Sequence, residues 1–136
     1  MVDKKMNTIR ILLVDDSIIF LDIAADFLAD HENLIVVGTA QNGDEALSMA
    51  ANLHPDVVLL DVNMPGLSGI ETSPYLRQIL PEAGIIILSF QNSDSYREAA
   101  LVAGADDFIQ KDTLAYALIP AIHRVSQRSE RLVSVE

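Results

Sequence analysis

Three carboxylates, a hydroxyl and an ammonium each stand at the end of a short apolar run. Asp15 and Asp16 follow Ile11-Leu12-Leu13-Val14, and Asp61 follows Val57-Val58-Leu59-Leu60. Ser89 follows Ile85-Ile86-Ile87-Leu88, and Lys111 lies just beyond Phe108-Ile109. Two unit charges ~5 Å apart at an effective dielectric of ~20 repel by about 3 kcal/mol, so gathered acids need compensation. Lys111 supplies one positive charge, and a divalent cation would supply two. Hard oxygen donors without His or Cys favour Mg²⁺, which takes one or two carboxylates and keeps waters. An ion held so leaves positions open for phosphate oxygens. The set therefore suits a carboxylate that accepts a phosphoryl group, a metal that stabilises the transfer, and Ser89 and Lys111 as groups that answer the product. Each residue alone has an ordinary reading: acids cap helices, Ser89 makes a turn, and Lys111 is a surface lysine. Their joint placement on four strand ends is what argues for a site.

The apolar runs are 9–14, 34–37, 57–60, 85–88 and 108–109. The clearest of them do not alternate with polar residues, as expected of strands buried on both faces. Helical spacing fills the gaps. Phe20, Ile23, Ala24, Phe27 and Leu28 form a stripe behind Ser17 as N-cap, and 43–52 carries Ala46, Met49 and Ala50. Ser93 is placed to cap a helix over 94–103 that Gly104 ends, and Leu114, Leu118, Ile122 and Val125 stripe a last helix. Ser68 and Glu71 have capping-box spacing, but Pro74 falls inside that helix, which must kink or restart with Ser73 as its cap. Pro120 predicts a kink in the last helix. The sum is βα repeated five times, a parallel sheet covered on both faces, with ligands bound outside the carboxyl ends of its strands.

A chain of 136 residues, half of them hydrophobic, suffices for one domain with a proper core. It contains no cysteine, which excludes disulfides, thiolate metal sites and a cysteine nucleophile. The longest apolar stretch, 114–122, is far short of the ~18 residues of a membrane span, and no secretory pattern opens the chain, so a cytoplasmic protein with no membrane partner is expected. Nine Lys and Arg against twenty Asp and Glu give a net charge of −11. That balance argues against direct nucleic acid binding, whose affinity comes from neutralising phosphates. His31, His54 and His123 are scattered and form no metal or relay centre.

Leu13-Val14-Asp15-Asp16-Ser17, then Pro55-Asp56-Val57-Val58-Leu59-Leu60-Asp61-Val62-Asn63-Met64-Pro65-Gly66, then Gly104-Ala105 ahead of Phe108 and Lys111, resemble the receiver domain of bacterial response regulators. The details are most similar to the NarL/FixJ-type branch, through Val36-Val37-Gly38, Asn42-Gly43-Asp44-Glu45-Ala46-Leu47 and Lys111-Asp112. The resemblance spans about 10–125. It implies a flavodoxin-like (βα)5 fold with strand order 2-1-3-4-5, an order taken from the family and not from this sequence. It implies a receiver at 9–127, with an N-terminal extension at 1–8, a tail at 128–136 and no output domain. By residue, it makes Asp61 the phosphoacceptor. Asp16 and Asp61 become direct Mg²⁺ ligands, Asn63 a ligand through its carbonyl, and Asp15 a ligand mostly through water. Ser89 becomes the switch hydroxyl, Lys111 the phosphate-pairing lysine, and Phe108 the aromatic that swings inward on activation.

The function so implied is a phosphorylation-controlled switch in a two-component phosphorelay. It would be fed by a sensor histidine kinase or phosphotransfer protein, and would act on a second copy of itself or on a separate output protein or domain. It would be a signalling module that catalyses only its own phosphorylation and slow dephosphorylation. Two other readings are an aspartate-nucleophile phosphotransferase or phosphatase and a degenerate receiver that binds constitutively. The first needs a second acid where Asn63 stands, and the second is opposed by the intact set of Asp15, Asp16, Asp61, Ser89 and Lys111. Three departures mark this chain: Asp112 replaces the proline that follows the lysine in most receivers, Phe90 replaces a small residue where it would screen the phosphoryl site, and Pro120 interrupts the last helix.

Overall fold

Along the inner strands, odd- and even-numbered residues face opposite ways, and both sets are buried. Ile9, Ile11, Leu13, Val57, Leu59, Ile86 and Leu88 lie in one apolar cluster, while Leu12, Val14, Val58, Leu60, Ile85 and Ile87 lie in another. A strand that faces a helix layer on each side has no solvent side to make polar, hence the unbroken runs. The computed structural model describes residues 8–91 and 94–127. Its strands are β1 (Ile9–Val14), β2 (Leu34–Ala40), β3 (Val57–Asp61), β4 (Gly84–Ser89) and β5 (Asp107–Gln110). They pair in parallel in the order β2-β1-β3-β4-β5, so the expected sheet is the one found. β3 occupies the centre, and its last residue is Asp61.

The helices are α1 (Ile18–Ala29), α2 (Gly43–Leu53), α3 (Gly69–Ile79), α4 (Asp94–Val102) and α5 (Leu114–Val125), with a 3₁₀ turn at Lys111–Thr113. α1 and α5 cover the first cluster through Leu21, Ala24, Leu28, Leu118, Ala121, Ile122 and Val125. α2, α3 and α4 cover the second through Ala46, Ala50, Leu76 and Ala100. α1 starts as expected, with Ser17 Oγ accepting from the Phe20 N–H at 3.2 Å. Its buried stripe differs by one position: Leu21 is inside, and Ile23 is 62% exposed. Gly104, with φ of +109°, takes up the left-handed position that ends the turn after α4. The expected cap Ser93 lies outside the described residues, as do 1–7 and 128–136.

The capping box of α3 is realised: Ser68 Oγ accepts from the Glu71 N–H at 3.1 Å, and Glu71 Oε1 accepts from the Ser68 N–H at 3.0 Å. The helix then runs through Pro74 without restarting. Ser73 is therefore no cap; it is buried, and its hydroxyl donates to the Gly69 carbonyl at 3.2 Å. Pro74 is exposed, which leaves water able to serve the carbonyl that the proline cannot. Pro120 is likewise exposed, and α5 continues across it as one helix. No cis peptide occurs among the described residues, so Asp112 follows Lys111 in trans. No helix among them is long and apolar enough to cross a membrane.

Candidate functional site

β1 and β3 are neighbours, so the residues that end them arrive side by side. Asp15 follows β1, anchored by its N–H to the Ala40 carbonyl at 3.0 Å, and is only 1% exposed. Asp61 ends β3 and is 5% exposed. Its carbonyl sits against the start of α3 so closely that a Cβ on Gly69 would lie 2.1 Å from it. Only glycine fits there, and the close approach places the first turn of α3 under the acid. Asp16 is exposed at the mouth. One carboxylate oxygen from each of Asp15, Asp16 and Asp61 lies within 4.8 Å of the others.

Lys111 reaches across from the turn after β5. Its Nζ lies 2.6 Å from Asp15 Oδ2 and 2.9 Å from Asp61 Oδ1, with only 5% of its side chain exposed. The second oxygen of each acid accepts a backbone N–H: Asp15 Oδ1 from Ser17 at 2.9 Å, Asp61 Oδ2 from Asn63 at 3.1 Å. Burial pushes the Asp61 carboxyl above its ordinary range; hydrogen bonding to Lys111 opposes this, and the charges of Asp15 and Asp16 reinforce it. Burial pulls the Lys111 ammonium down, but hydrogen bonds to Asp15 and Asp61 more than offset that, and its net shift is upward. One lysine against three acids leaves the rim negative. The oxygen-only donor set, converging within a few ångströms, fits a small hard dication that carries its own waters.

The remaining expected residues fall around this centre. Ser89 ends β4 beside Asp61, since Leu88 is the register partner of Asp61; it is buried, and its hydroxyl accepts the Gln91 N–H at 3.0 Å. Asn63 lies in the exposed turn after β3 and touches Asp61 through its N–H. Phe108 does not join the acids. It is 3% exposed within the second cluster, with the Arg97 guanidinium 5.2 Å from its ring centroid and donating to its carbonyl at 3.3 Å. An inward swing has no outward starting point in this conformation. Phe90 does reach the site: its ring centroid is 4.9 Å from Lys111 Nζ. So does a residue taken from the sequence only as part of a core stripe, Phe20, at 4.1 Å from the same nitrogen. The signal was its position in the first turn of α1, where long side chains lean back toward the preceding strand end.

Comparison with known proteins agrees with this fold and rim. A family model described as the response regulator receiver domain matches residues 11–123. The nitrate/nitrite response regulator protein NarL of Escherichia coli K12 is 34% identical over 116 residues, covering 85% of this chain and 54% of that protein. A protein-glutamate methylesterase/protein-glutamine glutaminase of Geobacillus kaustophilus is 42% identical over 107 residues, covering 78% of this chain and 31% of that protein. The chain thus spans a third to about half of the length of these curated relatives. The solved receiver domain of NarL from Mycobacterium tuberculosis superposes with a TM-score of 0.83 at 28% identity, covering 89% of this chain and 98% of that one. Receiver domains bind Mg²⁺ at an acidic cluster and interact with histidine kinases or phosphotransfer proteins. By its sequence match, its sheet order and its acidic rim, this chain belongs to the receiver domains of two-component response regulators.

Proposed function

We propose that Asp61 is the phosphoacceptor and that residues 9–127 act as a self-phosphorylating switch. One carboxylate oxygen of Asp61 attacks the phosphorus of a phosphohistidine on a kinase or phosphotransfer protein. The P–N bond breaks, and the imidazole leaves with its electron pair and takes up a proton. Asp15, Asp16, Asp61 and the Asn63 carbonyl are the residues that would hold Mg²⁺, which when bound supplies positive charge to the transferring phosphoryl oxygens. Lys111 pairs with the product's charge and Ser89 turns its hydroxyl to a phosphoryl oxygen, while Phe108 is already packed inward in this conformation. Hydrolysis by water returns Asp61, and no other reaction is assigned to the chain. The output passes through a protein surface, to a second copy or to a separate protein or domain. A charge of −11 repels nucleic acid.

The observation that carries this reading is the central Asp61, held by Lys111 at 2.9 Å among two further carboxylates. The aspartate-phosphatase alternative is not favoured, because Asn63 occupies the position of its second acid. Incubation with acetyl phosphate and Mg²⁺ should add one labile phosphoryl group, read by intact mass, and Asp61→Asn should abolish it. Labelling unchanged in Asp61→Asn would overturn the assignment.

A further inference from the structure

Lys111 is enclosed in a way that two acids alone do not explain. Two of its three donors are taken by Asp15 and Asp61, yet the ammonium sits at the mouth of the site with its side chain 5% exposed. Two rings provide the remaining cover: Phe20 at 4.1 Å and Phe90 at 4.9 Å from Nζ to ring centroid, both inside the range at which a cation is drawn to an aromatic ring. They come from the two flanks of the acceptor strand, Phe20 from the helix after β1 and Phe90 from the turn after β4. The two are held differently. Phe20 is partly buried against the first cluster, and its N–H is tied to Ser17 Oγ. Phe90 is 74% exposed and little of its surface is packed. A lone exposed ring needs no explanation, but one laid over a buried ammonium beside the reactive carboxylate does.

We propose that Phe20 and Phe90 form a two-ring cage that holds Lys111 on the Asp15–Asp61 pair and bars water and small donors from Asp61. Phe20 is the fixed wall and Phe90 the leaf that opens. Both are positioning residues, acting through Lys111 and through access. A phosphoryl group that needs Lys111 must first displace Phe90, and once bonded it is shielded by the ring's return. The cage rests on the reading of Asp61 as phosphoacceptor.

The test uses the full chain with acetyl phosphate and Mg²⁺, following label uptake by intact mass and label loss after the donor is removed. Phe90→Ala should speed both uptake and loss by about fivefold, equivalent to ~1 kcal/mol at 1.36 kcal/mol per decade. Phe90→Trp should restore wild-type rates, and Phe90→Leu should recover only part of the shielding. In the unphosphorylated protein, ring currents should shift the Lys111 Hε resonances upfield, and the shift should shrink in both Phe90→Ala and Phe20→Leu. Equal rates in labelled wild type and Phe90→Ala would overturn the gate and leave the acceptor reading standing. Unshifted Lys111 Hε resonances would overturn the cage itself. No label on either protein would overturn the acceptor reading and the gate with it, whereas label on Phe90→Ala alone would support both.

Discussion

Replacing Asp61 by Asn should make the metal-free protein more stable, although it removes half of a buried ion pair. The balance follows from the distances. At 4.8 Å, the widest separation within the group, and an effective dielectric of ~20, each neighbouring acid repels Asp61 by about 3.5 kcal/mol, with that of exposed Asp16 weakened further by water. Lys111 at 2.9 Å attracts it by about 6 kcal/mol on the same scale. These Coulomb contributions nearly cancel. What remains is the desolvation of a carboxylate that is 5% exposed, which for a fully buried ion amounts to several kcal/mol. A net gain of about 1–2 kcal/mol for Asp61→Asn is expected, or roughly 4 °C or more in melting temperature for a domain of this size. The amide keeps an oxygen for Lys111, and the Lys111–Asp15 pair stays intact.

The pH dependence has a definite sign. The folded-state pKa of Asp61 is raised above its ordinary 3.8, chiefly by burial. A raised acid favours folding while protonated, and that advantage is lost as pH rises through the folded value. Wild type and Asp61→Asn should therefore be nearly alike at and below pH ~4, and should diverge toward neutrality, with the variant the more stable. Urea unfolding in EDTA across pH 4–7 measures the gap, and added Mg²⁺ should narrow it by relieving wild type. A variant equal to or less stable than wild type in EDTA at neutral pH, or a gap that ignores pH, would refute the reasoning.

Millimolar Mg²⁺ should raise the melting temperature by mass action, and Asp16→Asn should lose most of that rise; indifference to Mg²⁺ in a thermal scan would count against a metal site. Gly69→Ala forces a methyl to within 2.1 Å of the Asp61 carbonyl, so it should cost about 1–3 kcal/mol in urea unfolding and slow labelling at Asp61. Pro74→Ala restores an N–H at an exposed position inside α3, and a gain of up to about 3 kcal/mol by urea unfolding is expected; no gain would show that the helix already accommodates the ring without cost.

The strands were legible because burial on both faces leaves no polar alternation, and the rim was legible because a parallel sheet brings its strand ends to one side. Asp15, Asp16, Asp61 and Lys111 could thus be placed together from spacing alone. The phase of α1 could not. In Ile18–Ala29 nearly every residue is apolar, so a stripe through Phe20, Ile23 and Phe27 and one through Leu21, Ala24 and Leu28 are equally periodic; only the sheet beneath chooses. The same ambiguity hid Phe20, whose ring serves both the core and Lys111. The passage of α3 through Pro74 was hidden too, because it depends on which side of the helix meets water, a property of the assembled layers and not of the local sequence.

The position of Lys111 also limits what phosphorylation can achieve. A phosphoryl group on Asp61 brings about −1.5 to −2 charges, if it resembles other phosphoryl groups, and draws the ammonium toward it. That ammonium is already committed to Asp15 at 2.6 Å, so each gain in pairing with phosphate weakens an existing charge-assisted bond. The differential stabilisation is the difference of two similar interactions, whereas moving an equilibrium from 1:99 to 99:1 takes ~5.5 kcal/mol. Phe108 is moreover already buried beneath Arg97, so the ring contributes no new apolar burial from this starting point. A phosphoryl group alone therefore biases the chain, and the remainder of the shift must come from a partner that binds the altered face more tightly than the resting one.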